Sequence, residues 1–171
     1  MIVVFIIFEL MNVSYILLGG NIGNTLQIFD NCVSLIGNEI GEVTLSSSIY
    51  VSEPWGFSHE NKFFNQVLKI STLLNHHQLL QKCQSIETFL GRKRKQENGY
   101  QARKIDIDIL FFNDLIMENK DLQIPHPRLH LRKFTLLPFL EVESTFTHPK
   151  LNKSIEKLLS ECPDKSKVIK L

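Results

Sequence analysis

Two aspartates one residue apart are the sharpest chemical signal in the chain. Asp106 and Asp108 lie within the segment RKIDIDIL, residues 103–110. Alternate side chains of a strand share a face, so the two carboxylates would lie on one side, about 6.6 Å apart along the strand. Two like charges that close repel, and carboxylate oxygens suit Mg²⁺, so the pair could share two Mg²⁺ ions that bind a triphosphate. Taken alone, two solvated aspartates on an exposed strand explain the pattern better.

Basic residues precede this pair and favour a metal and phosphate site over two solvated aspartates. Arg92, Arg94 and Arg103 lie within fourteen residues before Asp106, together with lysines. Guanidinium groups bind phosphate oxygens through paired hydrogen bonds. Carboxylates for a metal beside arginines for phosphate are what phosphoryl transfer requires. For the run RKRK by itself, a solvated loop or a weak nucleic-acid patch is the better interpretation.

Three other polar residues could take part in such a site. Gln84 and Glu87 are three residues apart, so they share one helix face, and this face lies off the apolar stripe. Taken alone, they are predicted to be surface residues. His126 lies between Pro125 and Pro127, which stiffen its backbone. It could donate to a phosphate, or it could be a structural histidine in a proline-rich turn.

Aromatic residues at predicted strand ends and in loops could bind a planar heterocycle. Trp55, Phe63 and Phe134 occupy such positions, and rings there can stack on a ligand. Asn65 could offer both a donor and an acceptor to a ring edge. For any one phenylalanine, core packing is the simpler explanation.

Hydrophobic periodicity predicts the elements that would position these residues. The predicted order is β-α-β-β-α-β, with helix caps at Asn24 and Asn75 and a further strand at 134–140 followed by a last helix at 151–159. The fold class is therefore α+β and ferredoxin-like: an antiparallel sheet with helices packed on one face, plus an extra C-terminal strand and helix. This fold hosts many functions, so it does not indicate an activity.

Composition is that of a single globular domain. The 171 residues are 43% apolar and 22% charged, with a net charge of +1, which disfavours nucleic acid as a partner. Three cysteines distant in sequence indicate neither a disulfide framework nor a zinc site, and we expect a cytoplasmic protein. Residues 1–10 are an N-terminal extension of uncertain role, and residues 11–171 form the predicted domain. Glu9, Asn12 and Ser14 interrupt the apolar run at the N-terminus, which disfavours a membrane span.

Seven segments in a fixed order resemble the 6-hydroxymethyl-7,8-dihydropterin pyrophosphokinase family, and their combination is far more specific than any one of them. They are LLGGN, SEPWG, FFNQV, QSIE, GRKR, ARKIDIDIL and IPHPRLHLRKF. The resemblance implies a monomeric enzyme that transfers the diphosphate of ATP to a pterin, with two Mg²⁺ ions and no nucleic-acid or membrane partner. It also implies attack of the pterin hydroxymethyl oxygen on the β-phosphorus, with release of AMP.

The resemblance also implies roles for individual residues. Asp106 and Asp108 would hold the Mg²⁺ ions, and Arg92 and Arg103 would contact the phosphates. The nucleotide site would include Gln84, Glu87, Arg94, Tyr100, Ile109, His126 and Arg132. The pterin site would include Ser52, Pro54, Trp55, Phe63, Asn65 and Phe134.

Three positions depart from the family pattern. Gly20 replaces a usual serine, Phe63 replaces a common tyrosine, and Gln101-Ala102 replaces a glycine-proline pair before Arg103. These departures concern the conformation of the loop before the aspartates more than the chemistry.

Three other functions fit parts of the pattern. An RNA-binding module of the same fold would need exposed aromatic residues on the central strands, which are absent. A phosphohydrolase would need a water-activating base, for which the sequence offers no good candidate. A catalytically inactive relative would not need the aspartates and arginines.

Overall fold

The computed structural model describes residues 11–92 and 101–171. A six-stranded antiparallel sheet forms its centre. Its strands are β1 (Asn12–Gly20), β2 (Glu42–Ser46), β3 (Tyr50–Ser52), β4 (Phe63–Thr72), β5 (Asp106–Phe112) and β10 (Val168–Lys170). Their order in the sheet is β10-β3-β4-β1-β5, and β2 also pairs with β4. Two short pairs lie outside it: β6 (Met117–Glu118) with β7 (Gln123–Ile124), and β8 (Thr147–His148) with β9 (Lys153–Ser154).

Within residues 11–92 and 101–171, four α-helices and one 3₁₀ turn connect these strands. The helices are α1 (Thr25–Glu39), α2 (His76–Phe89), α3 (Lys133–Val142) and α4 (Ile155–Glu161), and the 3₁₀ turn is Leu129–Leu131. As predicted, Asn24 caps α1 and Asn75 caps α2, where Gln78 completes a capping box. In the described part of the chain, no helix has the length and hydropathy needed to cross a membrane.

The sheet separates two hydrophobic cores. The first contains residues of α1 and α2 together with Ile105, Ile107 and Ile109, as the alternation along β5 predicts. The second contains Phe139 and Leu158 of α3 and α4. All three cysteines are buried, two in the first core and one in the second.

The structure confirms a mixed α and β fold with an antiparallel sheet, and it corrects one predicted element and the predicted placement of the helices. The predicted strand 134–140 is helix α3, because its buried residues Thr135, Leu136, Phe139 and Val142 recur at helical spacing. The helices also do not all pack on one face: α1 and α2 share a face, whereas α3 and α4 cover the other.

Candidate active site

A cavity of about 390 Å³ collects most of the predicted site residues. Those that line it are Ser52, Trp55, Phe63, Asn65, Arg92, Arg103, Asp106, Asp108, His126, Arg132 and Phe134. Gly19 of β1 lies opposite Asn65 of β4 on one side and opposite Asp106 of β5 on the other. Two strand spacings therefore separate the predicted pterin-binding amide from the predicted metal ligands, about 10 Å in all.

Strand β5 presents both aspartates to this cavity. Because Ile107 and Ile109 point into the first core, Asp106 and Asp108 project from the opposite face. Their side chains are 18% and 30% exposed, so a ligand can reach both. Burial raises the pKa of each carboxyl, and for Asp106 the neighbouring Asp108 charge raises the pKa further.

Two arginines neutralise Asp106. Arg92 Nη1 lies 2.6 Å from Asp106 Oδ1, and Arg103 Nη1 pairs with Asp106 Oδ2. Arg92 is held there by the end of α2, where the Gly91 N–H donates to the Thr88 carbonyl and the Arg92 N–H donates to the Glu87 carbonyl. This is a Schellman motif, and Gly91 has the positive φ, +89°, that it requires.

Glu87 is buried between α2 and β5, so the expectation that it lies at the surface is wrong. It is 2% exposed, pairs with Arg92, and accepts a hydrogen bond from the Ile107 N–H at 2.8 Å. Burial, and then the Asp106 charge, raise the pKa of Glu87 to about 7. Glu87 therefore joins helix, arginine and strand directly behind the aspartates.

Arg132 and His126 face Asp108. The Arg132 guanidinium is 3.5 Å from Asp108 Oδ2, and His126 Nε2 is 3.8 Å from the same oxygen. His126 Nδ1 accepts a hydrogen bond from the Arg128 N–H at 3.2 Å, so a neutral ring carries its proton on Nε2. Burial, with the charge of Arg132, lowers the pKa of His126 to about 3, so the ring is a neutral donor.

Aromatic rings form the other side of the cavity. The Arg132 guanidinium carbon lies 4.9 Å from the Trp55 ring centroid and 5.6 Å from that of Phe134. Phe57, which the sequence analysis missed, also lines the cavity and contacts Phe63 edge-on at 5.9 Å. Nothing in the loop composition distinguishes Phe57 from a surface aromatic residue.

Asn65 is held in one orientation by β3. It is 2% exposed, and its Nδ2 donates to Ser52 Oγ at 3.1 Å. Because Nδ2 is directed toward Ser52, the orientation of the whole amide group is fixed.

Asn21 links the loop after β3 to the segment before β5. Its N–H donates to the Arg103 carbonyl at 2.9 Å, and its Oδ1 accepts from the Arg103 N–H at 2.8 Å. Its carbonyl accepts from Asn61 Nδ2 at 3.1 Å. Asn21 ends the segment LLGGN but had no predicted role, although a polar residue directly after a glycine-ended strand was a usable signal.

Several predicted residues lie elsewhere and stay predictions. Pro54 and Gln84 are half-buried outside the lining of the cavity, and Ile109 is 4% exposed in the first core. Arg94 and Tyr100 fall outside the described residues.

Comparison with known proteins identifies the family. A family model described as 7,8-dihydro-6-hydroxymethylpterin-pyrophosphokinase (HPPK) matches residues 15–144. The chain belongs to this family. The HPPK resemblance drawn from the seven segments is thereby confirmed.

Two bacterial relatives share the family name. The 2-amino-4-hydroxy-6-hydroxymethyldihydropteridine pyrophosphokinase of Aquifex aeolicus is 35% identical over 147 residues, 86% of this chain and 90% of the relative. The enzyme of the same name from Bacillus subtilis is 39% identical over 132 residues, 77% of this chain and 78% of the relative.

One larger solved structure has a similar fold. A crystal structure of an HPPK-DHPS in complex with substrates matches with a TM-score of 0.74 at 15% identity. The match covers 88% of this chain and 43% of the other, and at this identity it shows the fold alone.

Proposed function

We propose that this chain transfers the diphosphate group of ATP to the hydroxymethyl group of 6-hydroxymethyl-7,8-dihydropterin in folate biosynthesis. One observation carries the proposal: a single cavity brings together two adjacent carboxylates, several arginines and a group of aromatic rings. The carboxylates and arginines suit a charged phosphate donor, and the aromatic rings suit a planar acceptor, so one cavity could bind both substrates side by side.

The chemistry requires positioning and charge neutralisation rather than a covalent intermediate. The hydroxymethyl oxygen attacks the β-phosphorus and its O–H proton is released to solvent. The bond from that phosphorus to the α,β-bridging oxygen breaks, and AMP leaves with the bridging oxygen. Arg92 and Arg103, whose side chains line the cavity, would contact the phosphates. His126 can donate its Nε2 proton to a phosphate oxygen without carrying a charge of its own.

The donor set of β5 fits Mg²⁺. Asp106 and Asp108 offer hard oxygen ligands from one face, and both are partly exposed. Across residues 11–92 and 101–171, no cluster of three or more His, Cys, Asp or Glu residues could enclose a metal by itself. We therefore propose that the two aspartates hold two Mg²⁺ ions whose other ligands are phosphate oxygens and water. When bound, Mg²⁺ would neutralise the negative charge of the triphosphate.

The pterin would occupy the aromatic side of the cavity. Phe63 and Phe134 would stack on its two faces, and the oriented amide of Asn65 would bind its edge. Ser52, Pro54 and Trp55 would complete this side from the end of β3 and the loop that follows it.

We propose four further properties, which concern the fold, the oligomeric state, the location in the cell and the partners. A ferredoxin-like unit within residues 11–171 is supported by the sheet, in which β4 lies beside β1 and β1 beside β5, while β2 and β3 both pair with the other edge of β4. Helices α1 and α2 lie together on one face of this sheet, which also supports the unit. We also propose that the protein acts as a monomer in the cytoplasm, with no nucleic-acid partner.

Product analysis tests the function directly. Purified protein would be mixed with MgATP and 6-hydroxymethyl-7,8-dihydropterin, with parallel reactions that lack the pterin or contain a chelator. AMP and pterin diphosphate should form together, and only in the complete mixture. ADP or free phosphate without pterin diphosphate would indicate an ordinary kinase or a hydrolase, and no turnover would indicate an inactive relative.

A further inference from the structure

Residues 163–171, which we call the C-terminal segment, follow α4 and end in β10. The segment lies beyond residues 15–144, the part of the chain that the HPPK family model matches. It nevertheless contacts two elements that carry predicted pterin-binding residues.

The first contact is with the beginning of α3. Lys133 opens this helix between Arg132 and Phe134, which both line the cavity. The Lys133 N–H donates to Asp164 Oδ2 at 3.1 Å, and Lys133 Nζ donates to the Ser166 carbonyl at 3.4 Å.

Asp164 thereby acts as a cap supplied from outside the helix. The first N–H groups of a helix lack partners within it, and Arg132, at the capping position, makes no side-chain capping bond. A carboxylate there is also favoured by the helix dipole. Asp164 is itself fixed, because its Oδ1 accepts from the Ser166 N–H at 2.9 Å.

The second contact is with β3. Strand β10 pairs with it so that Val168 lies opposite Ser52, and the Leu171 N–H donates to the Ile49 carbonyl at 2.9 Å. Lys170 Nζ donates to Glu141 Oε1 of α3 at 3.1 Å. The Glu141 carboxylate also accepts from the Tyr50 hydroxyl at 2.9 Å, so β3, β10 and α3 are joined.

These contacts meet on one side of the cavity. Strand β3 ends at Ser52, which orients Asn65, and α3 begins beside Phe134. By contrast, Arg92 and Asp106 are held by α2, β5 and each other.

We propose that the C-terminal segment positions the pterin-binding side of the cavity, with Asp164 as its main positioning residue. The proposal rests on the proposed function and deepens it. It requires that damage to the segment weaken pterin binding much more than nucleotide binding. A small loss of nucleotide binding is also expected, because Arg132, a predicted nucleotide-site residue, directly precedes Lys133. A purely structural role would affect both ligands alike.

Three variants of the full chain and one control test this requirement. Asp164→Ala removes the cap, and Asp164→Asn retains one acceptor oxygen. Ile169→Pro removes a backbone N–H that pairs β10 with β3. The Leu171 N–H donates to Ile49, directly before β3, and in an antiparallel pair every second residue donates in this way, which makes Ile169 a donor as well. Lys167→Ala changes an exposed side chain of the same segment and serves as the control.

Calorimetry with each ligand gives the readout. Pterin would be titrated in the presence of Mg²⁺ and α,β-methylene-ATP, which cannot transfer its diphosphate, and this nucleotide would also be titrated alone. Asp164→Ala and Ile169→Pro should weaken pterin binding about tenfold, as the loss of a helix cap suggests, with a much smaller loss of nucleotide binding. Asp164→Asn should recover part of the affinity, because its single oxygen can accept from only one of the two N–H groups that Asp164 binds. Lys167→Ala should behave as the wild type.

Two results would overturn the proposal: unchanged pterin affinity in Asp164→Ala, or equal losses for both ligands. If Ile169→Pro does not fold, Asp164→Ala with its asparagine rescue decides the question alone. A wild-type protein that binds no pterin would remove the proposed function and this inference together. Wild-type binding with unaffected variants would remove the inference only.

Discussion

At the scale of single residues, each aspartate of the site is matched by its own cations. Asp106 pairs with Arg92 and Arg103, and Asp108 lies near Arg132. Without such neighbours, desolvation of two adjacent carboxylates would favour their protonated forms. The same arginines lie within the cavity, so they are close to where phosphate charge would arrive.

The metal proposal predicts different effects of Asp108→Ala on catalysis and on stability. Diphosphate transfer should fall by about a thousandfold or more, because one of two shared ligands is lost. Folding should be retained, since burial already disfavours the charged form of this carboxylate. Product formation at saturating Mg²⁺ and thermal denaturation would measure the two effects.

Asp114→Ala, at an exposed turn, is the matched control. Near-wild-type transfer by Asp108→Ala would contradict the assignment of this residue to the metal.

The stacking proposal predicts that Phe134→Ala weakens pterin binding much more than nucleotide binding. The expected loss is about tenfold or greater, because the ring would contribute both apolar contact and stacking. Calorimetric titration with each ligand measures it, and Phe89→Ala, at a side chain that is 78% exposed, is the control. Equal losses for both ligands would show that Phe134 serves only the packing of α3.

Sequence patterns predicted the direction of a side chain where the local period decides it, and failed where distant segments decide it. The shared face of Asp106 and Asp108 followed from alternation in one strand. Glu87 is buried because β5, far along the chain, supplies the Ile107 N–H as its partner. Asn21 likewise gains its contacts from loops that only the folded chain brings together.

At the scale of elements, the end of β1 lies unusually close to the segment before β5. A Cβ atom placed on Gly20 would lie 2.5 Å from the Lys104 carbonyl oxygen. Gly20 and Gln101-Ala102 are both departures from the family pattern, and Lys104 lies two residues after Ala102. The two departures therefore lie close together in the fold. Glycine in place of serine at the end of β1 leaves room for the backbone at Lys104 to approach it closely.

This close approach predicts that Gly20→Ala is destabilising. Lys104 would have to shift, and overpacking of this kind costs about 1–3 kcal/mol in the free energy of unfolding. Gly37→Ala is the matched control, because a Cβ there meets nothing within 4 Å and alanine favours a helix by about 0.5–1 kcal/mol. Urea denaturation of both variants tests the difference, and equal stabilities would refute the steric argument.

Helix α3 shows why one element was predicted wrongly. Its sequence, KFTLLPFLEV, is a nearly continuous apolar run, and such runs do not distinguish a strand from a buried helix. Its first N–H is capped by Asp164, thirty-one positions away, so the usual local start signal is absent. The helical spacing of its buried residues was the signal that remained.

At the scale of the whole molecule, buried carboxyl groups make stability depend on pH. The pKa of Glu87 is raised to about 7 from an ordinary value of 4.5. Between these values the folded state binds more protons than the unfolded state, so stability must fall as pH rises through this range. Asp106 and Asp108, whose pKa values are also raised, act in the same direction.

Glu87→Gln should therefore reduce the loss of stability that the metal-free protein shows between pH 4.5 and about 7. Glutamine keeps an acceptor for the Ile107 N–H but does not titrate. Chemical denaturation across this range in the presence of a chelator measures the slope, and Glu60→Gln, an exposed substitution, is the control. Identical slopes for wild type and Glu87→Gln would contradict the raised pKa.

The burial of all three cysteines has a practical consequence for work on this molecule. Cys32, Cys83 and Cys162 are at most 2% exposed, and burial raises the pKa of the Cys32 thiol to about 12. Soluble maleimides should therefore leave the native protein unmodified. A cysteine introduced at exposed Phe89, three residues before Arg92, would be a unique attachment point for a fluorescent dye that reports ligand binding, with no need for a cysteine-free background.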